Sequence, residues 1–145
     1  MLDDLGLIAA LEWQTRDFQD RSGINCTFHS NEEEIRLSTE SATAAFRIVQ
    51  EALTNVLRHA RATRVEVQVS IEGELLRIKV RDNGQGFSDG SMDTGSLGGS
   101  LGLIGMRERA HAVGGEIIIA GESGDGARVE LKLPIPTVQT AAGAP

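Results

Sequence analysis

The stretch from Ser38 to Ala60, STESATAAFRIVQEALTNVLRHA, leaves the fewest choices about what this chain can fold into. Ala42, Phe46, Val49, Leu53, Val56, Leu57 and Ala60 recur at helical intervals, so they form one continuous apolar face that must be covered by another layer. Ser38 stands where a helix N-cap would. Two segments of period two follow, RVEVQVS and LLRIKV, separated by IEGE, and they read as an antiparallel hairpin. Further on, EIIIAGE and ARVELKLP flank the turn SGDG and make a second. A long amphipathic helix combined with paired strands predicts an α+β two-layer sandwich rather than a doubly wound parallel sheet.

The remaining segments fit that frame. Leu7, Leu11 and Phe18 place a helix over Leu2 to Arg21, with Gly23 as its stop. INCTFHS alternates as a short strand, which puts Cys26 between Ile24 and Phe28 as a buried core thiol. The run Glu32 to Glu34 reads as a solvated turn. Ser88 to Ser100 is too long and glycine-rich for a mere connector and is expected to be mobile. Leu103, Met106, Ala110 and Val113 give a last helix, ended by Gly114-Gly115. The Ala-, Pro- and Thr-rich tail over 136–145 has too little to bury and is expected to be disordered.

Composition narrows the function. A chain of 145 residues, 40% hydrophobic, suits one globular domain. Its net charge of -7 argues against a nucleic-acid partner, because phosphate-backbone binding draws on clustered Lys and Arg. No apolar run approaches a membrane span, so no direct membrane contact is expected. The single cysteine excludes an intramolecular disulfide and suits a reducing cytoplasm. His29, His59 and His111 lack paired ligand spacing, which argues against zinc.

Three groups of residues carry chemistry. Glu51, Asn55 and His59 step by four along the long helix, away from its apolar face. A carboxylate one turn before an amide oxygen can activate an attacking group while the amide holds a hard cation; a solvated polar face is the plain alternative. Second, the RDNGQGF corner pins Asp82 at a strand end, with Gly84 and Gly86 free to take turns closed to other residues. Such a carboxylate can accept from an amino group, although DNG is also ordinary turn chemistry. Third, Gly98, Gly99, Gly102 and Gly105 stand where the last helix begins, and a helix N-terminus offers unpaired N–H groups to phosphate. No Gly-Lys dipeptide and no His-Arg-Asp loop occurs, which excludes P-loop and ordinary protein-kinase folds.

In order along the chain, FRIVQEALTNVLRHA resembles the N box, RDNGQGF the first glycine box and GLIGMRERAHAVGG the second glycine box of one family. GDGARVELKLP resembles its closing hairpin. That family is the ATP-binding catalytic domain of two-component sensor histidine kinases (HATPase_c, GHKL superfamily), and the likeness is to the subfamily partnered by nitrate-response-type regulators. LDDLGLIAALEWQTRDFQDRSGI resembles the stretch joining that subfamily's dimerisation helices to the catalytic domain. The resemblance implies a Bergerat fold, a mixed, largely antiparallel sheet covered on one face by helices with a flexible ATP lid. It also implies a junction helix over 1–23 and a catalytic domain over 24–135.

By the same resemblance, Glu51 is the catalytic base candidate and Asn55 the Mg²⁺ ligand. Arg58 faces phosphate, and His59 matches the subfamily's HA ending. Asp82 reads the adenine amine from a loop shaped by Gly84 and Gly86, while Gly99, Gly102 and Leu103 offer backbone amides to the phosphates. Two departures stand out: Ser100-Leu101-Gly102 replaces a Gly-x-Gly pair, and Ala127 replaces a common Thr. LDDLG lacks the phosphoacceptor histidine, which is therefore expected upstream of this chain. The implied function is Mg-ATP binding and γ-phosphoryl transfer to that histidine, with a dimerisation and phosphoacceptor domain as neighbour and a response regulator downstream. The fragment itself is expected to be a monomer. An anti-sigma-factor-type serine kinase and a non-catalytic nucleotide-sensing module are the alternatives.

Overall fold

The computed structural model of the chain describes residues 2–32, 34–84, 103–121 and 126–135. Their elements are α1 (Leu2–Ser22), β1 (Asn25–Ser30), α2 (Thr39–Asn55), β2 (Arg64–Glu72), β3 (Leu75–Asp82), α3 (Leu103–Ala112), β4 (Glu116–Gly121) and β5 (Ala127–Pro134). The expected lid over Ser88 to Ser100 and the tail lie outside the described residues.

The strands form one five-stranded sheet in the order β1-β2-β3-β5-β4. β1 runs parallel to β2, as a crossover through α2 requires, and the other pairings are antiparallel. Both hairpins form as the alternation predicts. The first is tighter than the sequence suggests: Glu72 pairs with Leu75, so Ile71 and Glu72 extend the ladder and only Gly73 and Glu74 turn. β3, bonded along both edges, is the centre of the sheet.

One face of that sheet is the core. Val65, Val67 and Val69 of β2, Leu76, Ile78 and Val80 of β3, and Leu131 and Leu133 of β5 are buried beneath the helices. The residues between them, among them Arg64, Glu66, Arg77, Lys79, Arg81 and Arg128, share the opposite parity and stand on the helix-free face. This is the two-layer α+β sandwich expected.

The helix layer departs from the periodicity in one respect. Ser38 caps α2 as predicted, its hydroxyl accepting from the Ser41 N–H at 3.0 Å. The buried arc, however, comprises Ala44, Ala45, Ile48, Val49, Ala52 and Leu53, while Ala42 and Phe46 are half-buried and Leu57 is 54% exposed. α2 packs on the sheet and is flanked by α1 and α3, so its covered arc is wider and rotated. After Asn55 the helix widens into a π turn, Val56–Ala60, which ends at Arg61 in the left-handed region with φ 53°. Leu57 falls within that turn and continues the exposed side that Gln50 begins one heptad earlier.

At the end of α3, the Gly114 N–H donates to the His111 carbonyl at 3.0 Å and the Gly115 N–H to the Ala110 carbonyl at 2.8 Å. This is the paired bonding of a glycine-stopped helix, with Gly114 at φ 79°. Gly115 is also a packing site, since a Cβ there would stand 2.5 Å from both Leu133 Cδ2 and the Lys132 carbonyl oxygen. Gly115→Ala is expected to destabilise the domain by about 1–3 kcal/mol, the usual cost of overpacking, measured by urea denaturation.

Candidate functional site

Asp82 is the last residue of β3 and pairs with Val65 across the ladder. Directly paired residues share a face, and Asp82 lies two residues beyond buried Val80, so its side chain projects to the helix-covered side, where it is only 6% exposed. The carboxylate is held by backbone amides. Its Oδ1 accepts from the Gly84 N–H at 2.7 Å, and the Ala127 amide also donates to it. Burial pushes the Asp82 pKa above the ordinary carboxylate value, and the two amides pull it only part of the way back. Ala127 lacks a hydroxyl, yet its backbone amide still reaches the acid.

The corner is tightly confined. Gly126 has φ 82°, and a Cβ there would overlap the Asp82 carbonyl oxygen. On the other flank, Asn83 Oδ1 accepts from the N–H groups of Thr63 and Arg64, both at 2.9 Å. Asn83 Nδ2 donates to Thr63 Oγ1 at 3.0 Å, and the Asn83 N–H donates to the Arg64 carbonyl at 3.2 Å. Neither Gly126 nor Asn83 stands out in the sequence beyond turn chemistry, because the contacts that matter are made with distant segments.

α2 approaches the same end of the sheet. It runs through the π turn and residues 61–63 into Arg64, the segment that Asn83 grips, so the end of α2 and the end of β3 are neighbours on the helix-covered side. Along one stripe of α2, Ala44 and Ile48 are buried, whereas Glu51 and Asn55 are half-buried. The cover thins where these two polar side chains begin. Arg58 is exposed within the π turn. His59 falls within the π turn, and its side chain lies outside the described residues.

Gly84 is buried beside Asp82, and Leu103, the first residue of α3, is 5% exposed with its side chain in the core. Only the backbone of Leu103 is left to serve a ligand. Gly86, Gly99 and Gly102, like Ser100, lie outside the described residues. Among the described residues no group of three or more His, Cys, Asp or Glu converges as a metal site. A lone amide oxygen such as Asn55 fits magnesium, which keeps several waters and takes one or two protein oxygens together with substrate phosphates. The other titratable thiol or acid of note, half-buried Cys26, has its pKa pushed up to about 11 by burial, the behaviour of a core thiol rather than a nucleophile. A cleft of about 500 Å³ opens on the helix-free face between β1 and the end of β2, lined by residues such as Thr27, His29, Arg64 and Arg81. It meets the candidate site only at Asp82 and Asn83, and neither Glu51 nor Asn55 lines it.

Residues 40–137 match the histidine kinase-, DNA gyrase B-, and HSP90-like ATPase family, and this chain belongs to it. The chain is 35% identical over 136 residues to the signal transduction histidine-protein kinase/phosphatase DegS of Brevibacillus brevis, a match covering 94% of this chain and 34% of that protein. The chain thus spans about a third of that relative's length. Among solved structures, the histidine kinase domain of the Erythrobacter litoralis EL346 blue-light activated histidine kinase superposes with a TM-score of 0.70 at 25% identity, covering 92% of this chain and 63% of that one. The Acinetobacter baumannii histidine kinase AdeS shares the fold, with a TM-score of 0.67 at 14% identity over 89% of this chain and 63% of its own. No helix among the described residues is long and apolar enough to cross a membrane.

The raised pKa of Asp82 has a measurable sign. The folded state holds this proton more tightly than the unfolded state, so Asp82 subtracts stability progressively as pH rises from the ordinary carboxylate value of 3.8 through the raised folded value. Asp82→Asn removes that titration. In thermal melts without nucleotide, the stability of the Asn variant relative to wild type is expected to climb as pH rises from about 4 and to level off once the folded carboxyl has ionised.

Proposed function

We propose that the chain binds Mg-ATP between the end of α2 and the Asp82 corner and donates the γ-phosphoryl group to a histidine on a dimerisation and phosphoacceptor domain preceding it in the parent protein. The observation that carries this reading is the buried, amide-anchored Asp82 carboxylate, kept at the end of the central strand at a cost in desolvation. That burial costs stability, and an amine-bearing ligand meeting the acid would offset the cost. In this reading Asp82 accepts a hydrogen bond from the exocyclic amine of adenine, while Gly84 and Gly86 shape the loop around the base.

Asn55 and Arg58 then face the phosphates, Asn55 as the protein oxygen on Mg²⁺. Bound there, magnesium neutralises phosphate oxygens as charge shifts toward the leaving ADP. Glu51, one turn earlier, orients the incoming imidazole and takes the proton it sheds as its nitrogen bonds to phosphorus and the γ-phosphorus–oxygen bond to ADP breaks. His59 closes the segment. Gly99, Gly102 and the Leu103 amide are the proposed phosphate donors on the lid side.

α1 is proposed as the junction to the dimerisation domain. Its Leu7, Ile8 and Leu11 are buried in the common core, and Gln14 Nε2 donates to the Phe46 carbonyl of α2 at 3.2 Å, so movement of α1 bears directly on the helix that carries Glu51 and Asn55. The LDDLG segment and the HA ending of the N box favour the subfamily whose partners are nitrate-response-type regulators. A response regulator is accordingly the proposed final acceptor.

Calorimetric titration with Mg-ADP is expected to show binding that Asp82→Asn weakens about a hundredfold, as loss of a charged hydrogen bond predicts. Equal affinities would remove Asp82 from the site. With the dimerisation helices supplied in trans, Glu51→Gln is expected to slow histidine phosphorylation about a hundredfold or more while leaving ADP affinity within about threefold. Phosphorylation at the wild-type rate would reject Glu51 as the base.

A further inference from the structure

Asn83 sits between the two halves of the proposed site and touches neither the base nor the phosphates in that reading. Its side chain reaches out of the Asp82 corner to the segment that leaves α2. Oδ1 accepts from both the Thr63 and Arg64 N–H groups at 2.9 Å, and Nδ2 donates to Thr63 Oγ1 at 3.0 Å. One side chain thereby satisfies two backbone donors and orients a hydroxyl nineteen and twenty positions earlier in the chain. A hydrogen-bonded turn of the DNG kind needs none of this, because such turns bond their own neighbours.

The clasp lies where the site needs stiffness. The segment it holds follows a π turn and a left-handed Arg61, a stretch whose irregular backbone does little to set its own geometry. On its other side, Asn83 continues directly from Asp82, whose backbone is pressed by Gly126 and whose carboxylate is fixed by the Gly84 and Ala127 amides. The corner is therefore rigid, and Asn83 ties to it Thr63 and Arg64, where the chain coming from α2 through the π turn enters β2.

We propose that Asn83 is a positioning residue that sets the spacing between the adenine-reading Asp82 and the phosphate- and metal-facing end of α2, and so governs both nucleotide affinity and preference for adenine. This rests on the nucleotide reading given above. A ligand that must engage both ends at once binds in proportion to how often the two ends stand at the right separation. Loosening that separation weakens ADP, and it narrows the gap between ADP and GDP, because GDP presents a carbonyl where adenine has an amine and depends less on an exact match to Asp82.

The 145-residue chain allows a direct test by calorimetry with Mg-ADP and Mg-GDP, alongside thermal melts and amide hydrogen exchange. Asn83→Ala is expected to weaken ADP about tenfold, to reduce the ADP-to-GDP preference by a similar factor, and to speed exchange at the Thr63 and Arg64 amides. Asn83→Asp keeps both acceptor bonds, and the Thr63 hydroxyl can turn to donate to its second oxygen, so it is expected to bind within about threefold of wild type. Thr63→Val, which leaves both backbone bonds in place, is expected to lose about threefold or less. A purely structural Asn83 would lower the melting temperature and leave affinity and base preference at wild-type values in the folded protein; that result overturns the proposal. So does an Asn83→Asp variant as weak as Asn83→Ala. Should Asn83→Ala not fold, Asn83→Ser, whose shorter side chain cannot reach both backbone donors, takes its place: it is expected to weaken ADP about tenfold, and wild-type affinity and base preference in that variant overturn the proposal. Failure of the wild type to bind ADP at all would sink the nucleotide reading itself, and the positioning role with it.

Discussion

The buried carboxylate of Asp82 is the constraint around which the rest of the structure is arranged. A charge taken out of water at the end of a central strand is costly unless fixed dipoles meet it. Here the Gly84 and Ala127 amides do so, and the pKa remains raised, so the compensation is partial. The surroundings keep that acid in place: Gly126 has no side chain where one would strike the Asp82 backbone, and β2 and β5 hold the strand on both edges. The remaining polarity of the acid is the chemical resource that an amine-bearing ligand can use.

The second resource is a helix whose two halves have different tasks. The first half of α2 is covered on the stripe of Ala44 and Ile48, which fastens it to the sheet and its neighbouring helices. From Glu51 onward the same stripe is only half-covered. Packing of the first half thus orients the second, and polar side chains at Glu51 and Asn55 are presented from a rigid support rather than from a loop. α1, through Leu7, Leu11 and the Gln14 bond to Phe46, gives this helix a neighbour packed against it in the common core.

Family membership follows from the order of the motifs as much as from the fold. The same two-layer sandwich is shared with kinases of low sequence identity, so architecture by itself says little about the reaction. What places this chain is the family match over residues 40–137, a span that takes in Glu51, Asn55 and Asp82. The helix-free sheet face, with Arg64, Arg81 and Arg128 exposed to solvent and Lys79 half-buried, contributes the outer half of the sheet's alternation.

The sequence by itself determined the elements, both hairpins, the Ser38 cap, the glycine stop of α3 and the place of Asp82 at a strand end, because each depends on neighbours within a few residues along the chain. It also marked Glu51 and Asn55 as residues set apart from the apolar face. Only the tertiary structure decided which arc of α2 is buried, and with it the exposure of Leu57, since that depends on what flanks the helix, and it closed the helix with a π turn that no local period announces. The Asn83 grip on Thr63 and Arg64 and the close approach of Gly126 to Asp82 belong to the same class. They join segments twenty and more than forty positions apart, and such contacts arise from how a sheet is assembled, which leaves no pattern in either segment alone.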